Sequence, residues 1–356
     1  MDVLRPQLVV IHGRQYRRNV MKEDQYEEEE ESWYSGPAPE CEDLIEDESC
    51  DTHLIEQTEK GFRCAIDVPS VLYKYIIGKK GETRRRLEHD TRTSISIPKQ
   101  GVEGQIVVTG AQKSAVSMAI TRLEILIDSF RKKQPFTHFL SLPLNQPQIQ
   151  QGFLKFKEDV LEACSQDHGV EESIFQNPSK LHLTLGTLCL LNEAEVQAVG
   201  QQLQQNQDFI RELTGGKPLE LRVRGIEYMN DDPAAVDVLY AKVCEKHGSD
   251  KLQLLADRLV EQFVSQGLMQ REWDRVKLHG TVMNTLFRRD STAEGSGSGG
   301  KSREAFDARN ILKTFGSFDF GDLQLNSVLL SQRFSSDCSG YYCTAAAISF
   351  SPTQLS

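Results

Sequence analysis

The chain has 356 residues, of which 38% are hydrophobic and 26% charged, and a formal net charge of −11 at pH 7. This length is sufficient for two ordinary domains, each with its own hydrophobic core. No apolar run approaches the roughly 20 residues that span a bilayer. The first residues also lack the basic and then apolar stretch that is typical of a secretory signal. We therefore expect an intracellular protein that does not contact membranes.

The eight cysteines occur at ordinary density, and none belongs to a CxxC pair. Zinc sites and disulfide frameworks show such pairs or a dense, regular spacing. We therefore expect free, mostly buried thiols, and neither a metal ion nor another cofactor.

The negative charge is concentrated in an N-terminal tail. Residues 23–59 include sixteen acidic residues and no lysine or arginine, whereas residues 60–133 include fifteen basic and seven acidic residues, a net charge of +8. Runs of like charge predict disorder for residues 1–58. The apolar residues 8–11, with arginines after them, are either a docking peptide for a partner or part of an unstructured terminus. The basic segment that follows the tail has the charge that phosphate backbones attract.

Residues 59–133 are predicted to form one small domain. Apolar residues alternate along its first segment, which is typical of a strand, and glycine and proline mark its turns. The predicted order is β-α-α-β-β-α. In chain order we expect a strand at 62–68, helices at 71–77 and 83–89, strands at 94–97 and 105–109, and a long helix at 111–130.

The turn between the two short helices has the features of an anion site. Gly78 and Gly81 let the backbone turn tightly and approach a ligand, Lys79 and Lys80 add positive charge, and the next helix directs its N-terminal amides to the same place. Ile76, Ile77 and Ile95 are expected to add an apolar floor for bases. The residues predicted to bind nucleic acid are Ile77, Gly78, Lys79, Lys80, Gly81, Arg84, Arg85 and Arg86.

The sequence IIGKKGETRRRLEHDTRTSISIP resembles the KH family, and the resemblance covers residues 59–133. It implies a GXXG loop that clamps about four nucleotides of a single strand, here single-stranded RNA or single-stranded DNA. The alternative is a solvated lysine-rich turn on a fold that is kept for protein contacts.

Residues 134–356 are predicted to form a larger α+β domain. The run GSGSGG at 295–300 is a flexible loop or an engineered replacement, and we assign it no function. Strands are expected at 136–143, 180–191, 219–228, 236–243 and 276–285, helices at 148–166, 193–213 and 252–266, and an alternating segment from 323 onward.

This domain contains the sequence K-L-H-x-T twice. His182 and Thr184 share one face of a predicted strand, as do His279 and Thr281, because side chains alternate along a strand. Two imidazoles with pKa values near neutrality can act as base and acid when a phosphorus–oxygen bond breaks. The hydroxyl groups can donate to phosphate oxygens. A single H-x-T is common by chance, but the repeated segment supports a catalytic hypothesis for all four residues.

The paired motifs resemble the two-histidine phosphoesterase superfamily, in the branch related to the nuclear-localisation domain of an A-kinase anchoring protein. The resemblance covers about 136–356 and implies a bilobal α+β fold. It also implies metal-independent cleavage of cyclic phosphates or of RNA phosphodiesters, with no cofactor. The alternatives are a domain that binds RNA ends without cleaving them and a scaffold that acts through the N-terminal peptide. The two motifs are nearly the same, so either histidine can be the base.

The order of the modules, from VLRPQL to VKLHGTVMNTLFR, resembles a family of subunits of a nuclear transcription-coactivator complex. This resemblance spans nearly the whole chain. It implies a location in the nucleus, roles in transcription, alkylation repair and RNA processing, and a helicase subunit as the partner of the N-terminal region.

Overall fold

The structure is a computed structural model that describes residues 7–11, 14–18, 54–229, 231–271, 274–288 and 304–351. The chain divides into two compact units, Met1–Lys133 and Gln134–Ser356. Within the described residues, no helix has both the length and the apolar character to cross a membrane.

The first unit contains an antiparallel sheet of four strands in the order β3-β4-β6-β5, together with three helices. Ile66, Ile106, Val108 and Leu123 fill its core with the buried ring of Tyr73. The sheet and the helices follow the predicted order. The strands are β3 (Glu56–Thr58), β4 (Gly61–Asp67), β5 (Thr93–Ser96) and β6 (Gln105–Gly110), and the helices are α1 (Tyr73–Ile77), α2 (Glu82–Thr91) and α3 (Lys113–Lys132).

Two parts of the predicted disordered tail have regular structure, so that prediction is wrong for them. Strands β1 (Gln7–Ile11) and β2 (Arg14–Arg18) pair antiparallel, with Val9 opposite Tyr16. The apolar run is thus one strand of a hairpin, and the arginine-rich segment is the other. Strand β3 extends the sheet of the first unit, so this sheet begins at Glu56. The rest of the predicted tail up to residue 53 lies outside the described residues, as does the GSGSGG run.

The second unit is built on an antiparallel sheet of eight strands in the order β12-β9-β10-β11-β8-β7-β13-β14. Four strands lie on each side of the junction between β11 and β8, where Gly280 pairs with Leu183. At this junction β8 contains His182 and Thr184, and β11 contains Thr281 and follows directly after His279. The strands are β7 (His138–Pro143), β8 (His182–Leu188), β9 (Leu219–Tyr228), β10 (Val238–Glu245), β11 (Gly280–Asn284), β12 (Asp319–Leu325), β13 (Ser327–Gln332) and β14 (Thr344–Ser349).

Five helices contribute to the large hydrophobic core of this unit. Leu183, Leu185 and Val282 belong to this core, which also contains Leu259 and Phe263 of α7. The neighbouring residues along the strands therefore point to the opposite, polar face. The helices are α4 (Pro147–Cys164), α5 (Glu193–Gln204), α6 (Gln207–Thr214), α7 (Lys251–Ser265) and α8 (Arg309–Phe315).

Two predicted elements of the second unit differ from the structure. The single helix expected at 193–213 is two helices. The first ends at Gln204, and buried Asn206 is the N-cap of the second, where its main-chain carbonyl accepts from Ile210. The strand expected at 276–285 begins only at Gly280. The main-chain groups of Val276 bond to the side chains of Asp257 and Gln253 instead of a strand neighbour.

Candidate active site and nucleic-acid interface

The two H-x-T segments meet at the junction of the half-sheets. Gly280 pairs with Leu183, and extending this antiparallel register by one residue in each direction places His182 opposite Thr281 and Thr184 opposite His279. Leu183 is fully buried on the core side, so the four polar side chains share the other face. Diagonal neighbours in such a pair lie about 7–8 Å apart. Two imidazoles and two hydroxyl groups therefore surround one small space.

The main chain fixes the orientation of each histidine ring. Nδ1 of His182 lies 2.7 Å from the carbonyl oxygen of Lys180, and Nδ1 of His279 lies 2.6 Å from that of Lys277. A carbonyl oxygen can only accept, so Nδ1 carries the proton in both rings and Nε2 is left for chemistry. In His182, Nε2 lies 3.1 Å from the hydroxyl oxygen of Thr184 and accepts a hydrogen bond from that hydroxyl when the ring is neutral.

Each histidine also packs against a tyrosine that a lysine covers. The rings of His182 and Tyr342 meet edge to face with 5.3 Å between their centres, and the ammonium nitrogen of Lys180 lies 4.7 Å from the centre of the Tyr342 ring. Phe139 completes the wall around His182, at 5.1 Å. The aromatic wall and the carbonyl bond together hold the imidazole of His182 in one position.

The second motif repeats this arrangement in the other half of the sheet. His279 meets Tyr240 at 5.6 Å, and the ammonium nitrogen of Lys277 lies 5.1 Å from the centre of the Tyr240 ring. The hydroxyl group of Tyr240 donates to Glu227 at 3.0 Å, and Lys242 pairs with the same carboxylate at 3.1 Å. Burial, and then the hydrogen bond to Glu227, raise the pKa of Tyr240 to about 12, so the phenol stays protonated.

Burial lowers the pKa of both imidazoles. For His182 the pKa falls from 6.5 to about 4, because desolvation outweighs the hydrogen bond to Lys180 and the positive charge of His279 lowers it further. Burial also lowers the pKa of His279, with the Lys277 ammonium acting in the same direction and the carbonyl bond acting against it. His182 is therefore neutral at pH 7, with an unprotonated Nε2.

A buried polar cluster lies next to the first motif. Ser141 pairs with Thr184 in the sheet, and its hydroxyl lies 2.9 Å from that of Ser331 and 3.2 Å from that of Tyr341. Burial raises the pKa of Tyr341 to about 12, so this cluster is uncharged and fixes β7 and β13 beside the site.

Sequence reasoning missed the two tyrosines, Tyr240 and Tyr342. They come from β10 and from the segment before β14, and no motif links either of them to a histidine in the sequence. The only available signal was the Lys-Leu that precedes each H-x-T, since both lysines take part in the same contacts.

The GXXG turn of the first unit has the backbone that its glycines predict. Gly78 has φ 70° and ψ 179°, a region that is essentially restricted to glycine, and Gly81 has φ 78°. A Cβ atom at Gly78 would lie 2.1 Å from the hydroxyl oxygen of Thr83. The Arg85 guanidinium donates to the carbonyl oxygen of Lys80 and so closes the turn.

Most of the residues predicted to bind nucleic acid lie on the surface at this turn. Lys79, Lys80, Arg85 and Arg86 are exposed. Ile77, Gly78, Gly81 and Arg84 are partly buried, and Arg84 lies 3.6 Å from Glu88.

The predicted apolar floor is wrong in two of its three members. Ile76 is fully buried and Ile95 is 2% exposed, because both side chains belong to the core of the first unit. Ile77 alone remains available at the surface.

No group of three or more histidine, cysteine or acidic side chains in the described residues is placed to hold a metal ion. The side chains at the junction of the half-sheets are imidazoles and hydroxyls, whose chemistry is proton transfer and hydrogen bonding to anions.

The fold and the site define a KH domain followed by a two-histidine phosphoesterase-like domain. Residues 63–125 match the KH domain model, and residues 136–350 match the model described as the AKAP7 2'5' RNA ligase-like domain. The chain is 51% identical to activating signal cointegrator 1 complex subunit 1 of Mus musculus, over 99% of this chain and 100% of that protein. It therefore belongs to the AKAP7 2'5' RNA ligase-like family and, over its whole length, to the family of that cointegrator subunit. The three resemblances found in the sequence, to the KH family, to the A-kinase-anchoring-protein branch of the two-histidine phosphoesterases and to the coactivator-subunit family, are confirmed.

More distant similarities cover part of the chain. A-kinase anchor protein 7 isoform gamma of Homo sapiens is 28% identical, over 43% of this chain and 41% of that protein. The crystal structure of LigT of E. coli, complexed with NADP+, covers 62% of this chain and 99% of its own, with a TM-score of 0.35 and 13% identity.

Proposed function

We propose that the second unit is an RNA phosphodiesterase that works by acid–base chemistry without a metal ion, and that the KH domain holds the single strand on which it acts. The observation that carries this proposal is the register at Gly280 and Leu183, which places His182, Thr184 and their second copies on one face of adjacent strands. Such a set of side chains matches the needs of a phosphodiester: a base, an acid and two hydrogen-bond donors.

In the proposed reaction His182 is the base and His279 the acid. Neutral His182 takes a proton through Nε2 from the attacking water or ribose hydroxyl, whose oxygen forms the new bond to phosphorus. The bond from phosphorus to the leaving oxygen breaks, and the imidazolium of His279 gives that oxygen its proton. The negative charge of the bound phosphate favours the imidazolium form of His279. Thr184 and Thr281 donate to nonbridging oxygens and stabilise the charge that develops there.

The KH turn is proposed to bind the strand through its phosphates. Exposed Lys79 and Lys80 lie within the Gly78–Gly81 turn and exposed Arg85 and Arg86 follow it on α2, and partly buried Ile77 is proposed to support a base. Single-stranded RNA is the proposed ligand, and single-stranded DNA is the other strand that this chemistry admits.

The decisive assay measures turnover in EDTA on 2′,5′- and 3′,5′-linked oligonucleotides and on 2′,3′-cyclic phosphates. We expect a bell-shaped dependence of activity on pH, because one imidazole must be neutral and the other charged. His182→Ala and His279→Ala should each reduce turnover by about 1,000-fold or more. Thr184→Val and Thr281→Val should cost less, about 1.5–3 kcal/mol each. The exposed His89→Ala is the matched control.

Activity that disappears in EDTA, or that survives in both histidine variants, contradicts the mechanism. If no substrate is turned over but RNA ends bind in a way that depends on the two histidines, the unit is an RNA-end-binding adaptor instead.

We further propose that the chain works in the nucleus as a subunit of a transcription-coactivator and alkylation-repair complex, with a helicase subunit as its partner. The support is the identity of 51% with the cointegrator subunit over the whole chain. The N-terminal region is proposed as the docking segment. Deleting residues 1–53, which stops before strand β3, should abolish co-purification of the helicase and leave RNA affinity equal or higher. Retained assembly would place the docking surface elsewhere.

A further inference from the structure

The segment between β13 and β14 holds an aromatic side chain in an unusual state. Phe334 is 87% exposed, although burying a phenylalanine side chain is worth about 1.5–3 kcal/mol. Its φ is 58°, a left-handed conformation that is strained for a bulky side chain. Two unfavourable features at one residue indicate a functional role for the ring.

The ring of Phe334 is stacked on one side only. The guanidinium of Arg333 lies 4.3 Å from the centre of the Phe334 ring and 4.0 Å from that of the Phe136 ring, so it contacts both rings. Arg333 donates from its side chain to the carbonyl oxygen of Phe136 at 3.3 Å, and from its main chain to that of Thr137 at 2.8 Å. The stack of Phe136, Arg333 and Phe334 is therefore held in place, and the outer face of Phe334 is open to solvent.

The same segment is attached to the first H-x-T motif. Lys180 donates to the carbonyl oxygen of Ser335 at 3.0 Å and lies over Tyr342, whose ring contacts His182. Ser335 in turn accepts from the main chain of Cys343 at 2.9 Å, which closes the segment on itself. Phe334 is thus connected to His182 through its neighbour Ser335, then Lys180, and then Tyr342.

The charges around this ring suit a nucleic acid strand. Arg333 and Lys180 are cations that a phosphate backbone can contact, and two serines follow the ring in the sequence. The acidic residue of the segment, Asp337, is occupied by its own loop, since its carboxylate accepts from the main chain of Ser339 at 2.8 Å and of Tyr341 at 3.2 Å. A lone aromatic ring among polar and cationic groups is a stacking surface and not an apolar docking patch.

We infer that Phe334, backed by Arg333 and Phe136, stacks on a nucleobase of the RNA strand whose phosphate lies between His182 and His279. This inference rests on the proposed function for the location of the phosphate, and it adds the part of the substrate that is recognised beyond the scissile group. Base–aromatic stacking accepts every base, so the subsite selects for the presence of a base and not for its identity.

The test uses the full chain and a 2′-O-methyl trinucleotide with a 3′-phosphate, which lacks the 2′-hydroxyl nucleophile. Three nucleotides are fewer than the four that a GXXG loop clamps. One base at a time is replaced by 2-aminopurine, whose fluorescence is quenched when it stacks. We expect quenching at one position, affinity about five- to tenfold weaker for Phe334→Ala with the quenching lost, and near-normal binding for Phe334→Trp. Leu286→Ala, at a residue that is 71% exposed, is the matched control and should change nothing.

An abasic site at the quenched position should weaken binding to the normal chain by the same factor, and Phe334→Ala should then have no further effect. Normal affinity for Phe334→Ala overturns the inference, as does equal weakening for the base-bearing and abasic strands. Loss of a protein partner with RNA binding unchanged would identify a protein contact instead. Binding and quenching need no turnover, so this test can be carried out even if the chain has no phosphodiesterase activity. If the chain is active but Phe334→Ala binds normally, the stacking inference fails and the proposed function stands.

Discussion

The ring of Tyr240 meets that of His279 at 70°, with 5.6 Å between their centres. Lys277 lies over the same tyrosine and lowers the pKa of His279. In the first half of the sheet, Lys180 and Tyr342 have the same places around His182, but there the charge of His279 contributes to the lowered pKa and that of Lys180 does not. The two motifs are thus alike in geometry and different in electrostatics.

This difference predicts unequal effects of two matched substitutions. Lys277→Met removes a positive charge near His279, so the pKa of His279 should rise toward 6.5, while burial still holds it below that value. Lys180→Met should leave the pKa of His182 low. NMR titration of the imidazole carbon-bound protons measures both values. Equal shifts in the two variants would contradict the assignment.

The low pKa of His182 also predicts how stability depends on pH. The folded pKa of about 4 lies below the unfolded value of 6.5, so the unfolded chain binds more protons between these values and the free energy of unfolding rises with pH there. This contribution is complete above pH 6.5 and is lost as the pH falls to 4, by up to roughly 3 kcal/mol. Calorimetry measures the free energy of unfolding of the normal chain and of His182→Gln at several pH values. We expect this free energy to depend less on pH in the variant. His89→Gln, whose side chain is 89% exposed, should retain the normal slope.

The glycines of the first unit allow a matched test of the GXXG turn. Gly78 and Gly101 both have positive φ, but a Cβ at Gly78 would meet Thr83 at 2.1 Å, whereas nothing lies within 4 Å of one at Gly101. Gly101→Ala should cost about 1 kcal/mol of backbone strain. Gly78→Ala should destabilise the unit by at least about 3 kcal/mol, because overpacking adds to the strain. Urea unfolding measures both, and equal losses would show that Thr83 moves aside freely.

Charge reversal tests the same turn as a phosphate site. Lys79→Asp with Lys80→Asp places two negative charges where the strand must pass, so single-stranded RNA should bind at least about tenfold more weakly and with a smaller dependence on salt. Lys99→Asp, an exposed lysine in a different turn, is the control. Anisotropy with a labelled oligonucleotide gives the affinities, and unchanged binding in the double variant would exclude this turn.

The parts of the fold that follow from local pattern could be predicted. Alternating apolar residues gave strand β9 its observed bounds, and the glycine spacing located the turn at Gly78 and Gly81. The start of β11 could not be found this way, since the main chain of Val276 bonds to the side chains of Asp257 and Gln253, which precede it in the chain by nineteen and twenty-three positions.

In the candidate site, too, the residues in local motifs could be predicted and their partners from distant segments could not. His182 and Thr184 follow from a repeated motif, because strand periodicity alone places them on one face. The tyrosines at 240 and 342 depend on which strands become neighbours, and so does Phe139, which packs on His182. Side-chain partners brought together by a sheet of eight strands leave no local signal in the sequence.

The protonated nitrogen of each histidine is directed by a carbonyl oxygen of the main chain, at Lys180 and at Lys277. The ring tautomer is therefore insensitive to the side chain at either lysine position. Substitution of either lysine can therefore change the charge near the site, and with it substrate preference, while the same ring nitrogen stays available for proton transfer. Proline at 180 or 277 would instead constrain the main chain that carries this carbonyl. We expect it to disturb the site even though both histidines and both threonines remain present.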